Sequence, residues 1–148
     1  MYEILLTTHS WIRWIILLLA LIVIIKSFAG WRGNKPYGKG DNGLSAAFIG
    51  TLHLQLLIGL ILYFFFSPIT QAAFQDFGGA MNVAAQRYWA VEHIFAMIIG
   101  VTIAQIGRTK SKKANIDKQK FKIAFIYYLI AIIIMLSRIP FSEVNRLY

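Results

Sequence analysis

The 148-residue chain has no cysteine, six acidic residues and three histidines, His9, His53 and His93. Without cysteine there are no disulfides, thiolate metal sites or thiol nucleophiles. The carboxylates form no pair at depth in an apolar segment. There is no Ser–His–acid set and no phosphate-binding glycine loop, so hydrolytic and nucleophilic catalysis lack the residues that would perform them. The only metal-ligand candidates are these three histidines and Glu92, too few to mark a dedicated metal site. No internal repeat or low-complexity tract breaks the chain into units.

What is present is apolar surface. Hydrophobic residues make up 58% of the chain and charged residues 14%. That balance belongs to an integral membrane protein rather than a soluble domain. Four segments reach the about 20 residues that a bilayer-spanning helix needs. They run over about 4–25, 44–66, 88–107 and 121–139. The second stops at Ser67-Pro68 and the fourth at Pro140, since proline cannot continue a hydrogen-bonded helix. The expected fold is all-α: an integral membrane four-helix bundle, one transmembrane domain over residues 1–148. A cleaved signal peptide is the rival reading of the first segment, but Glu3 precedes the apolar run and Lys26 follows it, the reverse of a signal peptide.

The net charge of +9 reads as topology. Eleven of the 15 basic residues fall in two connections: Lys26, Arg32, Lys35 and Lys39 in the first, and Arg108, Lys110, Lys112, Lys113, Lys118, Lys120 and Lys122 in the second. Arg87, Arg138 and Arg146 lie on the opposite side, with Glu3, Asp76 and Glu143. By the positive-inside rule the basic loops are cytoplasmic and both termini lie on the non-cytoplasmic side. The expected location is the bacterial inner membrane, and the partners are the lipid bilayer and other membrane subunits, not nucleic acid. Both basic loops read as solvated connectors. The outer loop 68–86 is weakly apolar and nearly uncharged, and is expected to lie over the outer mouth of the bundle as a short surface helix.

Ionisable residues inside spans are expensive and mark candidate sites. They are His9, Arg13, His53, Glu92, His93 and Arg138. At about 1.5 Å per residue, His9 and His93 both lie roughly 8 Å below the outer ends of their helices. Arg13 is a turn deeper than His9, Glu92 adjoins His93, and Arg138 stands at the outer rim. His53 lies near the midplane or on the cytoplasmic side of it, away from the other two histidines. The row Ala90, His93, Met97, Gly100, Ala104 and Gly107 keeps helical spacing and is rich in small residues, which mark packed faces in membrane bundles. The row Ala124, Tyr128, Ala131, Met135 and Arg138 on the fourth helix is its expected neighbour.

Two imidazoles at matched depth on different helices suit axial ligation of one heme iron. Arg138 or Arg87 would pair the propionates at the wet end. Arg13 fits better with Glu92 or with a polar ligand such as a quinone carbonyl. The plainer alternative is a structural cluster in which the histidines hydrogen-bond their neighbours and Arg13–Glu92 is a buried ion pair fixing helix register. A metal or proton site is a further alternative. His53 reads as a core or lipid-facing histidine, with a second ligand role as the other option. Trp11, Trp14 and Trp89 read as interface anchors.

The stretches "HSWIRW", "HLQLLIGLILYF", "RYWAVEH" and "SRIPF" resemble the small four-helix bacterial membrane proteins of the cytochrome b-like type. The resemblance implies a bundle, heme b held by His9 and His93, and a respiratory membrane. Three histidines cannot supply the two pairs of a diheme cytochrome, so one heme is the limit. Two functions follow as expectations: an electron carrier with one heme near the outer leaflet, or an accessory subunit of a larger respiratory complex with no cofactor of its own.

Overall fold

A computed structural model describes residues 1–141. Among the described residues the structure is helical, with no strand. Helix α1 runs over Tyr2–Arg32, and α2 over Lys39–Ile61 before passing into a π-helical turn, Leu62–Phe66. Three short helices follow: α3 (Pro68–Gln75), α4 (Phe77–Ala80) and α5 (Ala84–Arg87). A second π-helical turn, Tyr88–Glu92, joins α5 to α6 (His93–Lys113), and α7 covers Asp117–Leu136. Four helical stretches are long and apolar enough to cross a membrane: Tyr2–Arg32, Lys39–Phe66, Ala84–Lys113 and Asp117–Leu136. Glu143 and Arg146, used above to set the topology, lie outside the described residues.

Three of the four spans outrun the expected apolar segments, and the basic connectors shrink accordingly to 33–38 and 114–116. Charged residues end an apolar run without ending a helix. Lys110, Lys112 and Lys113 occupy the last turn of α6, and Asp117 the first turn of α7. Each is placed where the helix dipole favours its sign. The first connector turns at Asn34, whose φ of 48° is a left-handed conformation that asparagine accepts better than most residues. Helix α7 ends at Leu136, short of the expected 139, and leaves Arg138 beyond its last turn.

Helix α1 packs on α2 and α7, and α6 packs on the same two helices, so α1 and α6 stand at opposite corners of an antiparallel ring. The core is drawn from all four spans: Ile16, Ala20 and Val23; Phe48 and Leu52; Val101 and Ala104; Tyr128, Ala131 and Met135. Ser45 of α2 and Tyr128 of α7 hydrogen-bond across the other diagonal, both buried. The Phe48 ring meets Tyr128 edge-on, with centroids 5.1 Å apart. Ala90, Gly100, Ala104 and Gly107 are buried, as the small-residue row predicts. Gly100 and Gly107 abut Met135 and Tyr127, so their missing side chains let α6 and α7 close up.

The end opposite the basic connectors is closed by α3, which supplies the donors that the end of α2 needs. Thr70 Oγ1 donates to Tyr63 O at 2.6 Å and Gln71 Nε2 to Phe64 O at 2.6 Å. The Tyr63 hydroxyl donates to Ala90 O at 2.7 Å, tying the two π-helical turns together. Pro68 sits in the first turn of α3, where its missing N–H costs nothing, and Ser67 caps it. The segment 68–86 is thus helical, as expected, but in three pieces.

Candidate functional site

His9 and His93 come from opposite corners of the ring, and at this closed end they lie within electrostatic reach of each other. Arg13 is within the same reach of both. Their agreement in depth, read by counting residues, therefore corresponds to proximity in space. His53 is exposed and lines a groove between α2 and α6 toward the basic end.

The His9 ring rests on Gly59 of α2: a Cβ there would be 3.1 Å from its Cε1. Gln55 Nε2 donates to the His9 carbonyl at 2.7 Å, pinning α1 to α2 at this level. The His9 Nδ1 atom is buried and has no hydrogen-bond partner. The adjacent Thr8 hydroxyl donates to Ile4 O.

The His93 Nδ1 atom lies 2.9 Å from Arg138 O. A carbonyl can only accept, so Nδ1 carries the proton and, in the neutral ring, Nε2 keeps its lone pair. This arrangement orients histidines that ligate metals. Because α7 stops at Leu136, the Arg138 carbonyl is open to outside donors, and Tyr88 Oη also donates to it, at 2.6 Å. The Trp89 ring lies 5.3 Å from the imidazole, centroid to centroid.

Glu92 is engaged differently from the expectation. Its Oε1 is 3.1 Å from Arg87 Nε and its Oε2 is 3.5 Å from Arg138 Nε. The expectation rested on depth alone; the π-helical turn Tyr88–Glu92 winds wider than an α-turn and brings Arg87, five residues earlier, to the side of Glu92. The Arg13 guanidinium carbon sits 5.4 Å from the Trp14 ring centroid, a cation–π distance.

The donor set can be tested against a heme. Two imidazoles from opposed helices, one with its Nδ1 proton fixed on Arg138 O and one with a buried Nδ1 that has no partner, are the residue types that would hold a heme iron. The propionate positions fit less well, since Arg87 and Arg138 already share the Glu92 carboxylate. Among the described residues, no group of three or more His, Cys, Asp or Glu side chains gathers to hold a bare metal ion. No family model, no curated protein and no solved structure matches the chain. The functional reading therefore stands on this geometry and on the residues themselves.

From the sequence, Gln55 and Gly59 read as a small-polar stripe on the second span with no tie to His9, and Arg108 was passed over. Arg108 was counted as a loop charge, yet it is buried on α6. The signal was available: Arg108 and Ser111 continue the helical row of Ala104, and both are buried with it.

Proposed function

We propose that the protein is a membrane-embedded, b-type cytochrome-like electron carrier holding one heme b between His9 and His93. The observation that carries this reading is the pairing of a His93 ring with its Nδ1 proton fixed on Arg138 O and a nearby His9 ring with an unsatisfied buried Nδ1. A heme bound there supplies one-electron transfer. The chain's own part is to hold it. Arg138 O orients His93, Gln55 and Gly59 set the place of His9, and Trp89 and Tyr88 flank the His93 imidazole. Arg13 places a positive charge beside both imidazoles, where a quinone carbonyl would find a donor. The charge distribution supports an inner-membrane setting with the basic loops cytoplasmic and the heme toward the outer leaflet.

A reduced-minus-oxidised absorption spectrum of the detergent-purified protein from heme-replete cells tests the reading. A b-type band is expected, and it should vanish in His9→Ala and in His93→Ala. A colourless, fully folded preparation would sink it. That outcome favours the second reading, an accessory subunit of a larger respiratory complex without a cofactor. Its supporting observation is the closure of Glu92 onto both arginines, which needs no ligand to complete it.

A further inference from the structure

Arg108 sits on α6 with 8% of its surface exposed, and its Nη1 atom is buried without a hydrogen-bond partner. Among the described residues the ion pairs are Lys26–Asp41, Arg87–Glu92 and Arg138–Glu92, so no carboxylate neutralises Arg108. Tyr37 is close by, but burial pushes its hydroxyl up from the usual range, so it stays uncharged and cannot serve as the counter-ion. A buried guanidinium in a membrane bundle is costly and calls for an anion.

Arg108 lines an open groove of about 460 Å³ between α2 and α6. At its basic end stand Lys112 and Lys113, in the last turn of α6. Toward the middle of the bundle the groove carries no further formal charge: Ala46, Ile49 and Gly50 line it beside His53 and Gln105. A Cβ on Gly50 would meet nothing within 4 Å, so there is free room above it. Cations at the interfacial end and open space beside Ile49 and Gly50 match an amphiphile with an anionic head.

We propose that this groove binds one anionic phospholipid, its phosphate on Arg108, Lys112 and Lys113 and an acyl chain along Gly50 and Ile49. A planar guanidinium grips phosphate oxygens in a bidentate manner, and lysines at a helix end reach the headgroup level. A lipid fits better than free phosphate because the groove is open and lies between two spanning helices that both expose large apolar side chains, Leu54 and Leu57 on α2 and Ile99 and Ile106 on α6.

The test uses the full chain reconstituted in nanodiscs of phosphatidylcholine containing a minor fraction of phosphatidylglycerol, followed by native mass spectrometry. One retained phosphatidylglycerol is expected, enriched at least tenfold over its bulk ratio. Arg108→Gln should return the ratio to bulk. So should Gly50→Phe, which fills the groove and leaves every charge in place; it carries the test if Arg108→Gln does not fold. Lys118→Gln, outside the groove, should change nothing. No enrichment in the wild type, or enrichment that survives both groove variants, overturns the proposal. A third arm adds millimolar inorganic phosphate to the protein in pure phosphatidylcholine. If phosphate alone raises the melting temperature as far as phosphatidylglycerol does, and Gly50→Phe keeps that response, the site takes free phosphate and the lipid assignment falls.

Discussion

A Cβ placed on Gly59 would stand 3.1 Å from Cε1 of His9, so this glycine sets how closely α2 approaches the imidazole. Gly59→Leu is expected to drive the ring out of its place and to destabilise the bundle by about 1–3 kcal/mol, the usual cost of overpacking. Thermal unfolding in detergent measures it. Gly50→Ala is the matched control: open space surrounds that position, and removing a mid-helix glycine should stabilise by about 0.5–1 kcal/mol. A neutral Gly59→Leu would show that the His9 ring is not held there.

Ser45 and Tyr128 form a buried hydrogen bond across the core. Tyr128→Phe should cost about 1–3 kcal/mol, because it strands the Ser45 hydroxyl. Adding Ser45→Ala should recover part of that loss. Strictly additive effects in the double-mutant cycle would mean that the two hydroxyls are not coupled.

The four spans were legible from length and polarity, and so was the company of His9 and His93, because helical rise turns residue number into depth. The partner of Glu92 was not legible. Depth alone cannot name a partner: the π-helical turn brings Arg87 beside Glu92, and the early end of α7 leaves Arg138 within its reach. The short connectors were also hidden, since hydropathy marks where apolar residues stop and not where helices do.

Glu92→Gln should loosen the tie between Arg87 and Arg138 at modest cost, about 1 kcal/mol or less, because both arginines are well exposed. If a heme is held as proposed, freeing two arginines should leave heme retention equal or better, measured as absorbance against total protein. A sharp loss of heme would mean that Glu92 itself positions the ligand.

At the basic end, a Cβ on Gly30 would lie 2.6 Å from atoms of the Phe121 ring. Phe121 in turn packs on Tyr37 at 4.9 Å between centroids. Gly30→Ala should therefore lower stability by about 1–3 kcal/mol despite alanine's better helix propensity. A raised melting temperature would contradict this packing.

Burial raises the Tyr37 hydroxyl above its ordinary value, with Arg108 opposing. The folded state therefore holds this proton more tightly than the unfolded state. The resulting stability is fully present below about pH 10, the ordinary tyrosine value, and is lost as pH rises through the higher folded value. Tyr37→Phe should flatten this alkaline loss, as followed by unfolding midpoints across that range. An unchanged slope would assign the loss to other groups.

The π-helical turn Tyr88–Glu92 also bears on how the chain tolerates changes in length. Such a turn houses one residue more than an α-helical turn. Removing that extra residue would let the helix run straight at α-helical pitch and leave the segments on either side near their places, whereas removing one residue from 94–99 in the regular part of α6 would swing everything before it by about 100° around the axis. Glu92 and His93 would then leave Arg138, and Ala90 would leave the Tyr63 hydroxyl. Deleting one residue from 33–38 would only tighten a connector. Changes of length are thus expected in the basic connectors and in the π-helical turn itself, while the regular part of α6 admits substitution and keeps its residue count.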